Sequence, residues 1–195
     1  FHLGVEVGRG EYSFEKLRAA HDAILIATGV YKARDISLPG VGLDGIVPAL
    51  DYLTASNRKS LGDIVPEFDN GMLDAAGKDV VVIGGGDTGS DCIGTSNRQG
   101  ARSITQLEIL EKPPVKEDKM LTWPNWPLKL RTSSSHEEGA NRNWSVSTKK
   151  FEGNSSGVKS PTLQKISWKR NDDGKMKMEQ STSKDSEIKI KADLV

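Results

Sequence analysis

The residues with a chemical task in view are three glycines and one acid. Gly84, Gly86 and Gly89 stand in a G-x-G-x-x-G array, and Glu108 follows 24 residues after Gly84. The chemistry this pattern suits is the holding of a dinucleotide, with no side chain acting as acid or base. Gly84 permits a sharp turn. Gly86 lets the backbone approach a pyrophosphate that a Cβ would push away, and Gly89 lets a helix pack close to a strand. The N-terminus of that helix then offers free N–H groups and a positive dipole end to the phosphates. The bland alternative is a glycine-rich strand-to-helix turn with no ligand. An acidic residue at the position of Glu108 suits the adenosine ribose hydroxyls and would favour NAD over NADP. It can equally be a solvated glutamate at a strand end, and Arg102 and Lys112 are nearby bases that could instead meet a 2′-phosphate.

These residues need a strand, a turn and a helix to hold them. Val80-Val81-Val82-Ile83 runs straight into the glycines and reads as a buried strand. A helix through Ile93, Thr95 and Arg98 is expected to reach about Gln99, with Gly100 as its C′ residue. Ser103–Ile109 then reads as a second parallel strand, completing a dinucleotide-binding βαβ unit.

Composition narrows the field. The 195 residues suit one domain or part of two, and 35% hydrophobic with 28% charged residues suits a globular protein with a polar surface. Lys plus Arg (27) balances Asp plus Glu (27), which argues against nucleic acid as a partner. No apolar run approaches a membrane span, and the N-terminus is not a signal peptide. The single cysteine, Cys92, excludes an internal disulfide and any four-cysteine metal or iron–sulfur site within the chain. On the helix after the turn, it reads as a small buried apolar residue. The start at Phe1 and the end at Ala192-Asp193-Leu194-Val195, where a strand is beginning, both read as cut from a longer polypeptide.

The remaining chain supplies further elements. His2–Val7 alternates and reads as a short strand, and Ser13 can cap a brief helix through Phe14, Leu17 and Ala20. Asp22–Gly29 reads as a buried strand ending in Ala27-Thr28-Gly29, whose small residues would let a cofactor close to the backbone. Ile46-Val47 suits a short strand, and Pro48 the first turn of a helix through Ala49, Leu50, Tyr52 and Leu53. Asn57–Gly77 reads as a loop carrying a domain passage. Trp123-Pro124-Asn125-Trp126-Pro127 is either a ligand for a proline-recognising domain or, preferably, an ordered loop laying aromatic faces over a neighbouring domain. His136-Glu137-Glu138 is too short for a metal site and reads as a helix start. Trp144–Thr148, Leu163–Arg170 and Lys175–Met178 read as strands, the last two forming a hairpin about Asn171-Asp172-Asp173-Gly174. Gln180–Glu187 reads as a loop before a last strand, Ile188–Val195.

Val80–Cys92 together with Gln106-Leu107-Glu108, Pro113-Pro114 and Trp123-Pro-x-Trp-Pro127 resembles the small subunit (beta chain) of glutamate synthase and the matching C-terminal region of the single-chain eukaryotic enzymes. The resemblance covers nearly the whole chain, including Ala27-Thr28-Gly29 and Ala192–Val195. It implies an α/β fold: a Rossmann-like NAD(P)H-binding domain inserted into a partial FAD-binding domain. Residues 1–70 would belong to the FAD domain, 71–193 to the NAD(P)H domain, and 194–195 to the return. It puts Gly84, Gly86 and Gly89 at the pyrophosphate turn, Asp87 and Thr88 at its rim, and Thr28 and Gly29 on the FAD side. Glu108 stays the candidate ribose contact. Two departures bear on the loop and not on the turn: Arg131-Thr132-Ser133-Ser134-Ser135 stands where arginine-valine-aspartate-tyrosine-glycine is expected, and Thr122 replaces an asparagine.

The resemblance further implies the cofactors, NADPH or NADH together with FAD, and a cytoplasmic oxidoreductase, organellar in some eukaryotes. NAD(P)H reduces FAD, and electrons then pass through iron–sulfur clusters outside this stretch. They reach a large subunit or N-terminal synthase region, where 2-oxoglutarate and glutamine-derived ammonia become glutamate. The stretch alone would be inactive, and no catalytic residue is expected in it. Two other readings fit the same residues: another FAD/NAD(P)H reductase of this architecture, and a nucleotide-binding or docking module without turnover.

Overall fold

The computed structural model describes residues 1–29, 32–33, 36–183 and 185–195. They divide into two compact units, Phe1–Ala33 and Arg34–Val195. The first unit holds one turn of 3-10 helix, Gly10–Tyr12, and helix α1, Phe14–Ala20. Ser13 caps α1 as its sequence suggests, its hydroxyl accepting the Lys16 amide at 3.4 Å.

Neither strand expected in this unit forms. His2–Val7 and Asp22–Gly29 lack a ladder partner among the described residues. Leu25 and Ile26 stand 90% and 67% exposed, where a buried strand was expected. Alternation and β-branching make a segment fit for a sheet, but only a neighbouring strand supplies the hydrogen bonds and the cover.

The second unit carries α2 (Ala49–Ser60), α3 (Pro66–Asp69), β1 (Asp79–Ile83), α4 (Asp87–Arg98), β2 (Ser103–Leu107), α5 (Lys119–Thr122), α6 (Ser134–Glu137), β3 (Asn141–Asn143), β4 (Val146–Asn154), β5 (Gly157–Arg170), β6 (Met176–Gln180) and β7 (Glu187–Lys189). Strands β1, β2 and β3 form a parallel sheet, with Val80 opposite Ile104 and Gln106 opposite Arg142. Leu194 adds a parallel bridge to Val80 on the far side of β1. Strands β4, β5 and β6 run antiparallel, and β7 pairs with β5.

The side-chain period of two gives the parallel sheet two apolar faces. Val80, Ile104 and Leu194 pack with Cys92 and Ile93 of α4 and Tyr52 of α2, whereas Val81 and Leu107 pack with Val146, Leu163 and Ala192. Tyr52 also bonds Ser96 and Gln99, both at 2.9 Å, which pins α2 to α4. Burial pushes the Tyr52 phenol up to about 12 and the Cys92 thiol up to about 11. A thiol so raised stays protonated, in keeping with a packing role.

Several boundaries differ from the sequence reading. Asn57–Ser60 continues α2, and Pro66 starts α3 within the stretch read as loop. Ile46-Val47 makes no strand, although the Val47 amide donates to the Val195 carbonyl at 2.9 Å. Strand β4 begins at Val146 because Ser145 takes a positive φ of 55°. Strand β5 starts six residues before the expected Leu163, since the tight turn from Asn154 to Gly157 pairs it with β4. The expected last strand shrinks to Glu187–Lys189 plus the Leu194 bridge. The hairpin about Asn171–Gly174 forms as expected.

Arg102 lies at the N-terminal end of β2, roughly 15 Å from its C-terminal end at ~3.3 Å per residue. Its guanidinium donates to Asp79 at 2.9 and 2.6 Å and to Asp193 at 2.7 Å. Lys191 reaches Asp79 at 2.8 Å. The expectation that Arg102 could meet a 2′-phosphate is therefore overturned: it faces the opposite end of the sheet from the glycines and is held by two carboxylates.

Asp79 is buried, and its hydrogen bonds from Arg102, then from Lys191, hold its carboxyl well below the usual carboxylate range. A depressed native pKa contributes stability that is fully present above the unfolded value of about 4 and is lost as pH falls toward the native one. The stability gap between the parent chain and Asp79→Asn should accordingly hold above about pH 5 and narrow progressively as pH falls below about 4, as thermal melts would measure. A constant gap would mean the Asp79 carboxylate charge is not what ties these strand ends.

Candidate dinucleotide site

The glycine turn sits at the C-terminal end of β1. Gly84 takes φ +127°, a region that favours glycine, and its amide donates to the Leu107 carbonyl at 2.9 Å. This bond ties the turn to the end of β2. Gly86 is the N-cap of α4 and brings no side-chain hydrogen bond to the helix start. The first-turn amides of a twelve-residue helix thus lack a side-chain cap, at its positive end. A Cβ on Gly86 would meet nothing within 4 Å, so only an incoming group limits that position. Gly89 is different: a Cβ there would stand 2.5 Å from the Gly84 carbonyl oxygen and 3.1 Å from Gln106 Nε2. The helix can lie this close to the turn only with glycine at 89. Asp87 and Thr88, the first residues of α4, are exposed beside the turn.

Glu108 is the first residue past β2. Its amide donates to the Asn143 carbonyl at 2.8 Å, and its own carbonyl accepts the Val146 amide at 3.3 Å. Backbone bonds to both neighbours fix where its side chain starts. The carboxylate lies over the middle glycine, since a Cβ on Gly85 would land on Glu108 Oε2. Sequence and structure thus bring Gly84, Gly86, Asp87, Thr88, Gly89 and Glu108 together. Thr28 and Gly29 belong to the first unit, where no sheet forms around them.

Three residues of this neighbourhood escape the sequence reading. Gln106, 1% exposed, donates from Nε2 to the Gly84 carbonyl at 2.9 Å. Its Oε1 meets His136 Nε2 at 3.0 Å. His136 stands on α6, where Ser133 and His136 form a reciprocal capping box, the Ser133 amide donating to His136 Nδ1 at 3.1 Å. The serine-rich run therefore does have a seat: Ser133 caps α6, and Ser135 packs where Gly94 of α4 leaves no room for a Cβ. Burial, and after it the Arg142 charge, lowers the His136 pKa. The only sequence signals were a polar residue at an inward strand position and a Ser-x-x-His spacing.

Arg142 is the third. Its guanidinium donates to the Arg131 carbonyl at 3.0 Å and stacks 4.9 Å from the Trp144 ring, while Lys112 lies 5.0 Å from the same ring. Lys112 thereby remains a cation near the C-terminal end of the sheet, unlike Arg102. Trp123 and Trp126 are largely exposed, and Arg131 stacks on Trp126 at 4.4 Å.

A glycine turn at the C-terminal end of a parallel strand, opening a helix whose first amides lack a side-chain cap, is the arrangement of a dinucleotide-binding βαβ unit. The family model described as pyridine nucleotide-disulphide oxidoreductase matches residues 3–195, and the chain belongs to that family. Among curated proteins it is similar to the glutamate synthase [NADPH] small chain of Azospirillum brasilense, 48% identical over 78% of this chain and 30% of that protein. The same-named protein of Mycobacterium tuberculosis is 44% identical over 78% of this chain and 31% of the relative. Glutamate synthase [NADH] of Schizosaccharomyces pombe is 39% identical over 98% of this chain and 9% of that protein. The chain thus spans about a third or less of the curated relatives it matches. Among solved structures, FprA of Mycobacterium tuberculosis (a His57Gln mutant) superposes with a TM-score of 0.59 at 15% identity, over 97% of this chain and 52% of that one. At that identity the likeness concerns the fold alone. Among the described residues no helix is long and apolar enough to cross a membrane.

Two glycines of the turn should separate packing from ligand approach. Gly89→Ala should lower stability by about 1–3 kcal/mol, the range for overpacking, whereas Gly86→Ala, at φ −81° and with open space, should melt within a degree or two of the parent chain. Equal melting points for the two variants would contradict this geometry.

Proposed function

We propose that this chain is part of the electron-input region of a glutamate synthase and holds the nicotinamide dinucleotide that feeds electrons to FAD. One observation carries the reading. The uncapped N-terminus of α4 opens onto a turn with no side chain at Gly86, and the Glu108 carboxylate lies over the same turn. Backbone amides and a helix dipole suit the pyrophosphate, and a carboxylate suits the ribose hydroxyls. The relatives' printed names, glutamate synthase [NADPH] small chain and glutamate synthase [NADH], support the assignment of the whole protein's reaction.

In this reading Gly84, Gly86 and Gly89 shape the pyrophosphate seat, Asp87 and Thr88 form its rim, and Glu108 orients the ribose. Residues 71–193 make up the dinucleotide domain. Residues 1–70 belong to the FAD side, with Thr28 and Gly29 near that cofactor, and 194–195 lead back to it. The described residues around Thr28 form no cradle for FAD, so no step is derived there. When bound, NAD(P)H supplies a hydride. The chain's own part is to bind and orient its adenosine half; none of these side chains needs to move a proton. The partner is a large subunit or N-terminal synthase region, reached through iron–sulfur clusters carried elsewhere, and the setting is cytoplasmic.

Titration calorimetry of the chain with NADH and NADPH tests the reading. Binding of at least one is expected, abolished by Gly86→Ala. A folded chain that binds neither would overturn it. Glu108→Ala should weaken NADH by roughly tenfold, the cost of a charge-assisted hydrogen-bonding partner, and narrow the gap between NADH and NADPH. Unchanged affinity for both would remove Glu108 from the site.

A further inference from the structure

The Gly84 carbonyl accepts a hydrogen bond from one side chain among the described residues, Gln106. A carbonyl only accepts, so the Gln106 carboxamide must present its nitrogen to Gly84, at 2.9 Å. Its oxygen then faces His136 Nε2 at 3.0 Å, and that oxygen also only accepts. The imidazole is therefore protonated on Nε2. Its other nitrogen is a receiver: the Ser133 amide donates to Nδ1 at 3.1 Å, and the Ser133 hydroxyl lies 2.8 Å from it. Ser90 Oγ of α4 lies 3.5 Å from the same Nε2, where its hydroxyl can accept only a longer share of that N–H, and every donor and acceptor in the line Ser133, His136, Gln106, Gly84 is assigned by its neighbour. Gln106 has no second orientation that satisfies both ends, because a flipped amide would set oxygen against the Gly84 carbonyl and nitrogen against an N–H.

We infer that His136 is a positioning residue for the glycine turn: by donating from Nε2 to the buried Gln106, it locks the amide that holds the Gly84 carbonyl, and thereby orders Gly84–Gly86 for dinucleotide binding. Gln106 Nε2 also comes within 3.1 Å of where a Cβ on Gly89 would sit, so the same amide fills the corner between turn and helix. Without the His136 donor, the Gln106 oxygen is left buried and unpaired, and the amide is free to rotate away from Gly84. The capping box on α6 serves this line by fixing the imidazole's tautomer. A purely structural role would end at holding α6 against β2. The inference rests on the proposed dinucleotide seat only for its consequence, the affinity; the ordering of the turn stands without a ligand.

The test uses this chain and the variants His136→Phe, which keeps the ring volume without a donor, and His136→Gln, which restores one. Nitrogen-15 spectra of the parent imidazole should show the Nε2–H tautomer; the Nδ1–H tautomer would overturn the inference without any variant. In His136→Phe, the amides of Gly84–Gly86 should lose order in relaxation measurements and NADH or NADPH should bind roughly tenfold more weakly, the effect of one lost buried hydrogen bond. His136→Gln should restore both. Turn amides as ordered in His136→Phe as in the parent, or a Gln variant no better than Phe in turn order, would overturn it. If the parent binds no dinucleotide, the proposed function falls, while the tautomer and the turn amides still decide the role of His136.

Discussion

The close approach of α4 to the turn it grows from is the constraint on which the rest depends. The Gly84 carbonyl occupies the space a side chain at 89 would need. Because the helix lies this near, Cys92 and Ile93 reach the sheet, and Tyr52 can bond Ser96 from α2. The same closeness points the helix's positive end past Gly86 and toward Glu108 at the end of β2. The packing of the helix and the opening of its N-terminus beside the turn thus both follow from one missing Cβ.

The two ends of the parallel sheet are treated differently. At the N-terminal end, Asp79, Arg102, Lys191 and Asp193 pair closely, with Asp79 buried, and they tie β1 and β2 to the closing segment. At the C-terminal end, the amides of the turn and the first turn of α4 carry no side-chain cap, and the nearby charges are a carboxylate over glycine and two cations on one tryptophan. Charges that satisfy one another stabilise the fold, and backbone groups left without side-chain partners suit a ligand. This is the division expected of a parallel sheet whose ligand side lies beyond the carboxyl ends of its strands.

What was legible in the sequence was local. A strand, three glycines at fixed spacing and a helix stopped just before Gly100 need no information from elsewhere, and the structure has them within a residue of where the sequence indicated. Glu108 was readable for the same reason, since a second strand of ordinary length had to end near it. Arg102 misled because it is six residues from Glu108 in sequence and at the other end of the strand in space. The Asp22–Gly29 segment misled because an apolar run states what a strand would bury but not whether a partner lies beside it. His136 and Gln106 were invisible as a pair: they are thirty residues apart, and only the packing of α6 against α4 brings the imidazole to the carboxamide.

The central proposal is that the backbone from Gly84 to Gly89 is the seat of a pyrophosphate. Amide chemical-shift mapping of the chain during titration with NADH and with NADPH addresses it residue by residue. The account predicts that the largest changes fall on the amides of Gly85, Gly86, Asp87, Thr88 and Gly89 and on Glu108, with those of the Asp79–Arg102 end still. Large changes confined to any other surface, or none in a chain whose spectrum is that of a folded protein, would contradict it.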